Sequence, residues 1–196
     1  ILSYYGMKVL AKTRRAGIKE LARAASVDLQ KLNTHAIGFQ LGPRINAAGR
    51  MKSADLALDL MMSTSRSKAF TLANELDGLN KERREAQDKA VKEIAVEDKD
   101  AVIVACGQWH EGILGIIAGR LVELYHKPAF ALTDLGDGRL KGSGRSFGDF
   151  SLADVLQHCP NGVLLTGGGH AGACGLSLEA NHLSDFKSFV QDYYRS

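Results

Sequence analysis

The sequence predicts an α/β fold in which a mixed sheet with flanking helices fills residues 98–196, preceded by a long connector helix and a helical region at the start of the chain. Three observations predict it. Short apolar runs of buried-strand type alternate with helical periodicity after residue 98. A charged stretch from about 65 to 97 carries apolar residues at helical spacing with no proline and one glycine, Gly78. Residues 1–65 are mainly helical in pattern.

In the first region, Leu2, Tyr5, Val9 and Leu10 fall on one helical face, and Ile18, Leu21 and Ala25 on another, with Gly17 and Gly38 as punctuation. Gly42-Pro43 reads as a turn before a second helical run from about Ser53. In the connector, Leu72, Leu76 and Leu79 recur at helical spacing, and Lys81-Glu82-Arg83-Arg84-Glu85 mixes charges of both signs, as a solvated helix between two bodies would. An exposed helix of a single domain satisfies the same pattern. The last region contains strand-like runs at 101–105, 128–132, 140–147, 163–165 and 173–178. Between and after them lie a helix over 113–125, a serine-capped helix over 151–158, and a final helix from a cap near Asn181 that buries Leu183, Phe186, Phe189 and Val190. The organisation read from the chain is therefore 1–65, 66–97 and 98–196.

Composition narrows the class. The chain has 196 residues, 45% hydrophobic and 24% charged, with a net charge of +3, which is ordinary for a folded soluble protein and too mild to indicate nucleic-acid binding on its own. No apolar run approaches the roughly 18 residues that span a bilayer, and no secretory leader is visible, so no membrane partner and a cytoplasmic setting are expected. Cys106, Cys159 and Cys174 are far apart and odd in number, which argues against a disulfide framework or a zinc site and for small buried residues in a reducing compartment. The first residue is Ile1, and the chain reads as a piece of something longer.

Four motifs carry candidate chemistry. Gly167, Gly168 and Gly169 follow an apolar run and precede His170. Consecutive glycines let a backbone approach a ligand and present N–H groups to an anion, and His170 adds a titratable donor; a glycine-rich hairpin with a surface histidine fits the same residues. The segment also satisfies G-x-G-x-x-G, but the alternating residues after it read as a strand where a dinucleotide fold needs a helix, which excludes that reading. Lys141-Gly142-Ser143-Gly144-Arg145-Ser146 sets a guanidinium and hydroxyls among residues too small to obstruct a phosphate, although a flexible hairpin with a solvated arginine fits equally. Gly42 to Arg50 places Arg44 and Arg50 in what reads as a rigid small-residue loop ahead of a helix, or as an ordinary interdomain loop. Trp109-His110-Glu111-Gly112 precedes a helix whose first N–H groups would face the mouth of the sheet. His110 and Glu111 are adjacent, a poor metal-ligand pair without others. There is no Asp/His cluster at metal-ligand spacing, no G-x-S-x-G elbow and no P-loop lysine. The chain offers groups that grip anions and no group that would activate a nucleophile.

Taken together and in order, Gly42-Pro-Arg-Ile-Asn-Ala-Ala-Gly-Arg50, Leu79-Asn80-Lys-Glu-Arg83, Trp109-His-Glu-Gly112 with Gly115-Ile-Ile-Ala118-Gly-Arg120, Gly142-Ser-Gly-Arg-Ser146 and Gly167-Gly-Gly-His170 resemble the RecJ exonucleases of the DHH phosphoesterase superfamily. The resemblance implies that 98–196 is a DHHA1 substrate-binding domain and that 1–65 is the tail of a DHH domain. It implies hydrolysis of single-stranded DNA from the 5′ end, with Mn2+ or Mg2+ held by Asp and His residues of a DHH portion absent from this chain. It also implies that Arg44, Arg50, Ser143, Arg145, Gly167, Gly168, Gly169, His170 and His110 contact the DNA backbone or its 5′ phosphate. Such a piece, alone, is expected to bind and not to cut. Two other functions remain open within the resemblance: a phosphodiesterase for short oligonucleotides or cyclic dinucleotides, and a non-catalytic nucleic-acid-binding module.

Overall fold

The computed structural model describes all of residues 1–196 and divides them into two compact units, Ile1–Glu85 and Ala86–Ser196.

The first unit is helical: α1 (Leu2–Ala11), α2 (Ala16–Ala24), a 3-10 turn (Leu29–Lys31), a π-helical turn (Ala36–Leu41), α3 (Gly42–Met51), α4 (Asp55–Met62) and the first part of α5 (Arg66–Glu93). Its core is Leu21, Ala22, Leu41, Ala48, Ala57, Leu60, Ala69, Leu72, Ala73 and Leu76. The long charged helix therefore forms as expected, but its early turns supply Ala69, Leu72, Ala73 and Leu76 to this core. Gly17 is no breaker: it is buried inside α2, where a Cβ would lie 1.9 Å from the Leu60 carbonyl oxygen, so its missing side chain lets α2 and α4 meet. The apolar residues of α1 form a helix as read, yet none of them is buried.

Gly42-Pro43 is not a turn before a helix; it opens one. Pro43 sits in the first turn of α3, where its absent N–H would have had no intrahelical partner. Arg44 and Arg50 are thus on a helix that runs straight on from the π turn, and not on a loop.

The second unit holds a five-stranded sheet in the order β1-β2-β3-β5-β4, built from β1 (Ile103–Gly107), β2 (Ala129–Asp134), β3 (Arg139–Arg145), β4 (Thr166–His170) and β5 (Ala173–Glu179). β1 and β2 are parallel and every other pair is antiparallel. The helix α6 (Leu114–Tyr125) makes the parallel crossover and packs on β2 and β3. On the other face, α7 (Leu152–His158) and α8 (Leu183–Arg195) cover a core of Phe130, Leu132, Leu140, Cys174, Leu176 and Leu178, closed by Leu152, Val155, Phe186 and Val190. Ser151 caps α7 by accepting the Asp154 N–H, as its position suggested.

Some local expectations are corrected. Val163–Leu165 is not a strand; the glycine run itself is one, at the sheet edge. Three glycines have little intrinsic β preference, but an edge strand needs only backbone pairing, and β5 supplies it. The final helix begins at Leu183, after a 3-10 turn (Ala180–His182), and buries Phe186 and Val190 fully but Leu183 and Phe189 only in part. Cys106 is exposed, whereas burial pushes the thiols of Cys159 and Cys174 up to about 11.

Candidate phosphate-binding site

Residues paired across adjacent strands project to the same side of a sheet. The register here stacks three such rows on the face that α6 only half covers. Arg145 pairs with Ala173, and Ala173 with His170; Ser143 pairs with Gly175, and Gly175 with Gly168; Lys141 pairs with Ser177, and Ser177 with Thr166. Long polar side chains on β3 thus face His170 and Thr166 on β4 across a floor of Ala173 and Gly175. With strands about 4.8 Å apart, the Arg145 and His170 backbones stand roughly 10 Å apart, a gap an arginine and a histidine can close around one phosphate. The floor is open, because a Cβ at Gly168 would meet nothing within 4 Å and one at Gly175 only the Gly142 carbonyl oxygen, at 4.0 Å. A hollow of about 360 Å³ bordered by Leu135, Arg139, Lys141, Thr166 and Ser177 lies at the far end of this face.

Three basic residues lie on this side of β3, and their charges are answered differently. Arg139 is ion-paired with Asp137, and Lys141 bonds Glu111 at 2.6 Å. Arg145 has no carboxylate. Its Nη1 donates to the Ser143 hydroxyl at 3.0 Å and to the Gly144 carbonyl at 2.7 Å. The Nε and Nη2 hydrogens remain, and they form the two-pronged edge with which arginine grips phosphate or carboxylate. Nη2 lies against Gly115 in the first turn of α6, where the partial charge of the helix is positive. A half-buried guanidinium beside a positive helix end carries a desolvation cost that no carboxylate offsets here.

The hydroxyl of Ser143 donates its one hydrogen to the Cys174 carbonyl at 3.1 Å while accepting from Arg145. It serves the site by fixing the guanidinium; in this arrangement it has no hydrogen left for a ligand. His170 is exposed at the end of β4, next to a hairpin turn held from both sides, since Ala171 accepts the Leu152 N–H at 2.9 Å and Gly172 the Ser146 N–H at 3.1 Å. Gly169 requires glycine on two counts: its φ is +153°, and a Cβ would lie 2.4 Å from the Ala173 carbonyl oxygen. Gly167 and Gly169 face the core side, and only Gly168 faces the polar side.

His110 caps the 3-10 turn Glu111–Ile113: its Nδ1 accepts the Gly112 N–H at 3.1 Å, which in the neutral ring leaves the proton on Nε2. The segment is pinned to the sheet where Thr133 Oγ1 accepts the Trp109 N–H at 3.1 Å and donates to the Trp109 carbonyl at 2.7 Å, and where Glu111 meets Lys141. That ammonium holds the Glu111 carboxyl below its ordinary value.

Arg44 and Arg50 belong to the first unit. Arg44 is 15% exposed and already partnered, donating from Nε to Asp77 at 2.7 Å and from Nη1 to the Gln40 carbonyl at 2.7 Å. Arg50 stands in the last turn of α3. The second unit therefore gathers Ser143, Arg145, Gly168 and His170 on one face, while Gly115, which touches Arg145, was not among the candidates. Its sequence signals were a place in the Gly115-Ile-Ile-Ala118-Gly-Arg120 series and the position itself, a glycine within a helix, which asks for a packing reason.

No three of the His, Cys, Asp and Glu side chains cluster as metal ligands, so the residues of this chain do not fit a divalent metal. No helix is long and apolar enough to cross a membrane.

Residues 98–196 match the DHHA1 domain family. The chain is 38% identical over 200 residues to the single-stranded-DNA-specific exonuclease RecJ of Bacillus subtilis, an alignment that covers 98% of this chain and 25% of that protein. It is 38% identical over 207 residues to the Escherichia coli protein of the same description, covering 98% of this chain and 35% of that one. The crystal structure of RecJ in complex with Mg2+ from Thermus thermophilus matches with a TM-score of 0.87 at 27% identity, covering 97% of this chain and 30% of that one; the Mn2+ complex matches equally well. The chain thus spans between a quarter and about a third of the length of these curated relatives. With half of its residues matched to that domain and the remainder aligned to the same relatives, the chain belongs to the DHHA1 domain family and is similar along its length to RecJ exonucleases.

Proposed function

We propose that this chain is the substrate-gripping portion of a RecJ-type 5′→3′ single-stranded-DNA exonuclease, with Arg145 and His170 holding a backbone or 5′-terminal phosphate over the Ala173–Gly175 floor. The observation that carries the reading is the guanidinium of Arg145, left without a carboxylate on a face where its basic neighbours are both paired. A phosphate ligand completes it with two parallel charge-assisted bonds. Phosphate contacts position a strand without reading its bases, which suits an enzyme that digests any sequence. Ser143 orients Arg145, His170 approaches from β4, and the bare backbone at Gly168 leaves room for the sugar–phosphate chain. Arg44 and Arg50 are proposed as further backbone contacts, with Arg44 acting only after exchanging Asp77 for phosphate. His110 offers Nε2–H at the entrance to α6. The relatives with bound Mg2+ and Mn2+ support a metal-dependent hydrolysis in which the ions sit on a portion of the protein outside this chain, and the residues described here align the phosphate for it.

The test is binding and cleavage by this chain. Fluorescence anisotropy with 5′-phosphorylated oligothymidylate should show weak binding that falls as salt rises, because bound phosphates release counterions. Incubation with Mn2+ should leave the oligonucleotide intact. Metal-dependent cutting by the chain alone, or binding indifferent to salt, would overturn the assignment.

A further inference from the structure

We infer that Gly115 is the positioning residue of the Arg145 guanidinium; this rests on the reading that Arg145 binds nucleic-acid phosphate. Gly115 is the second residue of α6. A Cβ there would lie 2.5 Å from Arg145 Nη2, 3.2 Å from Arg145 Cζ and 3.2 Å from Ser143 Oγ. Any side chain at 115 therefore occupies the seat of the guanidinium and crowds the hydroxyl that steadies it. Gly119, one turn on, makes no such demand, since a Cβ there would touch only Arg145 Cγ, at 4.0 Å. The two glycines of one helix thus differ in kind: one clears the head of the arginine, and the other runs beside its stem with ordinary room.

The blocked atoms are the end of a flexible side chain and not backbone. An alanine at 115 would push the guanidinium off its seat and leave the sheet and helix in place. Alanine also favours a helix interior over glycine. Stability and binding should consequently move apart, which a merely structural glycine would not produce.

The experiment compares Gly115→Ala, Gly119→Ala, Arg145→Ala and the Gly115→Ala/Arg145→Ala double variant in the full chain. Two readouts are taken: the Nε–Hε resonance of Arg145 in 15N NMR, identified by its loss in Arg145→Lys, and affinity for 5′-phosphorylated oligothymidylate. For Gly115→Ala we expect an unchanged or higher melting temperature, a displaced Arg145 resonance and an affinity lowered about 10-fold, the scale of one charged hydrogen bond. In the Arg145→Ala background the same substitution should cost nothing further, since two changes acting through one group are not additive. Gly119→Ala should match the parent in both readouts. An unmoved resonance in Gly115→Ala, an additive loss in the double variant, or a Gly115→Ala chain that no longer folds would each overturn the inference. If Arg145→Ala binds as the parent does, the nucleic-acid reading fails, and the resonance alone decides whether Gly115 seats the arginine.

Discussion

Arg44 and Arg145 look alike in the sequence, each a guanidinium among small residues, and the two units treat them in opposite ways. The first unit answers Arg44 inside the fold, with Asp77 and the Gln40 carbonyl. The second gives Arg145 a hydroxyl and one carbonyl, and leaves its charge open at a helix start and above a floor of small residues. A paired arginine stabilises the structure that holds it. An unpaired, half-buried one carries a desolvation cost that an anion would offset. The difference shows that small residues around an arginine do not by themselves mark a binding site; what counts is whether a carboxylate waits in the tertiary structure.

The contrast can be broken or sharpened by substitution. The largest effect belongs to the strand that leaves space as well as charge. Gly169→Ala should cost about 3 kcal/mol in urea unfolding, because the φ and the backbone contacts both oppose a side chain. Its neighbour Gly168→Ala should change stability by no more than about 0.5 kcal/mol and instead weaken oligonucleotide binding. Equal stability losses at both positions would deny that β4 has one core side and one open side. Next, Arg145→Ala should lower affinity for 5′-phosphorylated oligothymidylate by roughly 10- to 100-fold, the worth of hydrogen bonds to a charged group, with little change in melting temperature. Asp77→Ala should show itself in the stability of the first unit, costing about 1–2 kcal/mol of unfolding free energy by stranding Arg44. Were Asp77→Ala neutral in stability, Asp77 would not be what answers Arg44 inside the fold and the contrast would collapse.

The smallest effect concerns Lys141, the neighbour whose charge is answered. Its ammonium lowers the Glu111 carboxyl below the ordinary 4.5. A carboxyl depressed in the folded state stabilises above its unfolded value and loses that contribution as pH falls through the folded one. Melting curves of the parent should therefore decline more steeply below about pH 4.5 than those of Lys141→Met, by well under 1 kcal/mol because the pair is solvent-exposed. Identical acid limbs would mean that Lys141 is as open as Arg145.

Much of the fold was legible. The runs at 101–105 and 128–132, the helix after Trp109 and the serine cap at 151 were read from period and capping, because each is encoded within a few residues. The glycine strand was not, since its pairing depends on β5 and not on its own side chains. Helix α3 was missed because a Gly-Pro pair signals a turn, although proline is harmless in a first turn. Of the site, the residue types at 143, 145 and 170 were visible. That Ser143 spends its hydrogen on Cys174, that Asp77 lies 33 positions from Arg44, and that Gly115 lies 30 positions before Arg145 were not, since each depends on contacts between distant segments.

The sequence by itself determined which residues are able to grip an anion and that the chain would fold as α/β, because residue type and periodicity act locally. Only the tertiary structure decided which of those residues share a face and which charges are already neutralised. Strand register and helix packing bring together groups that the chain keeps apart, and an electrostatic partner is set by distance in space.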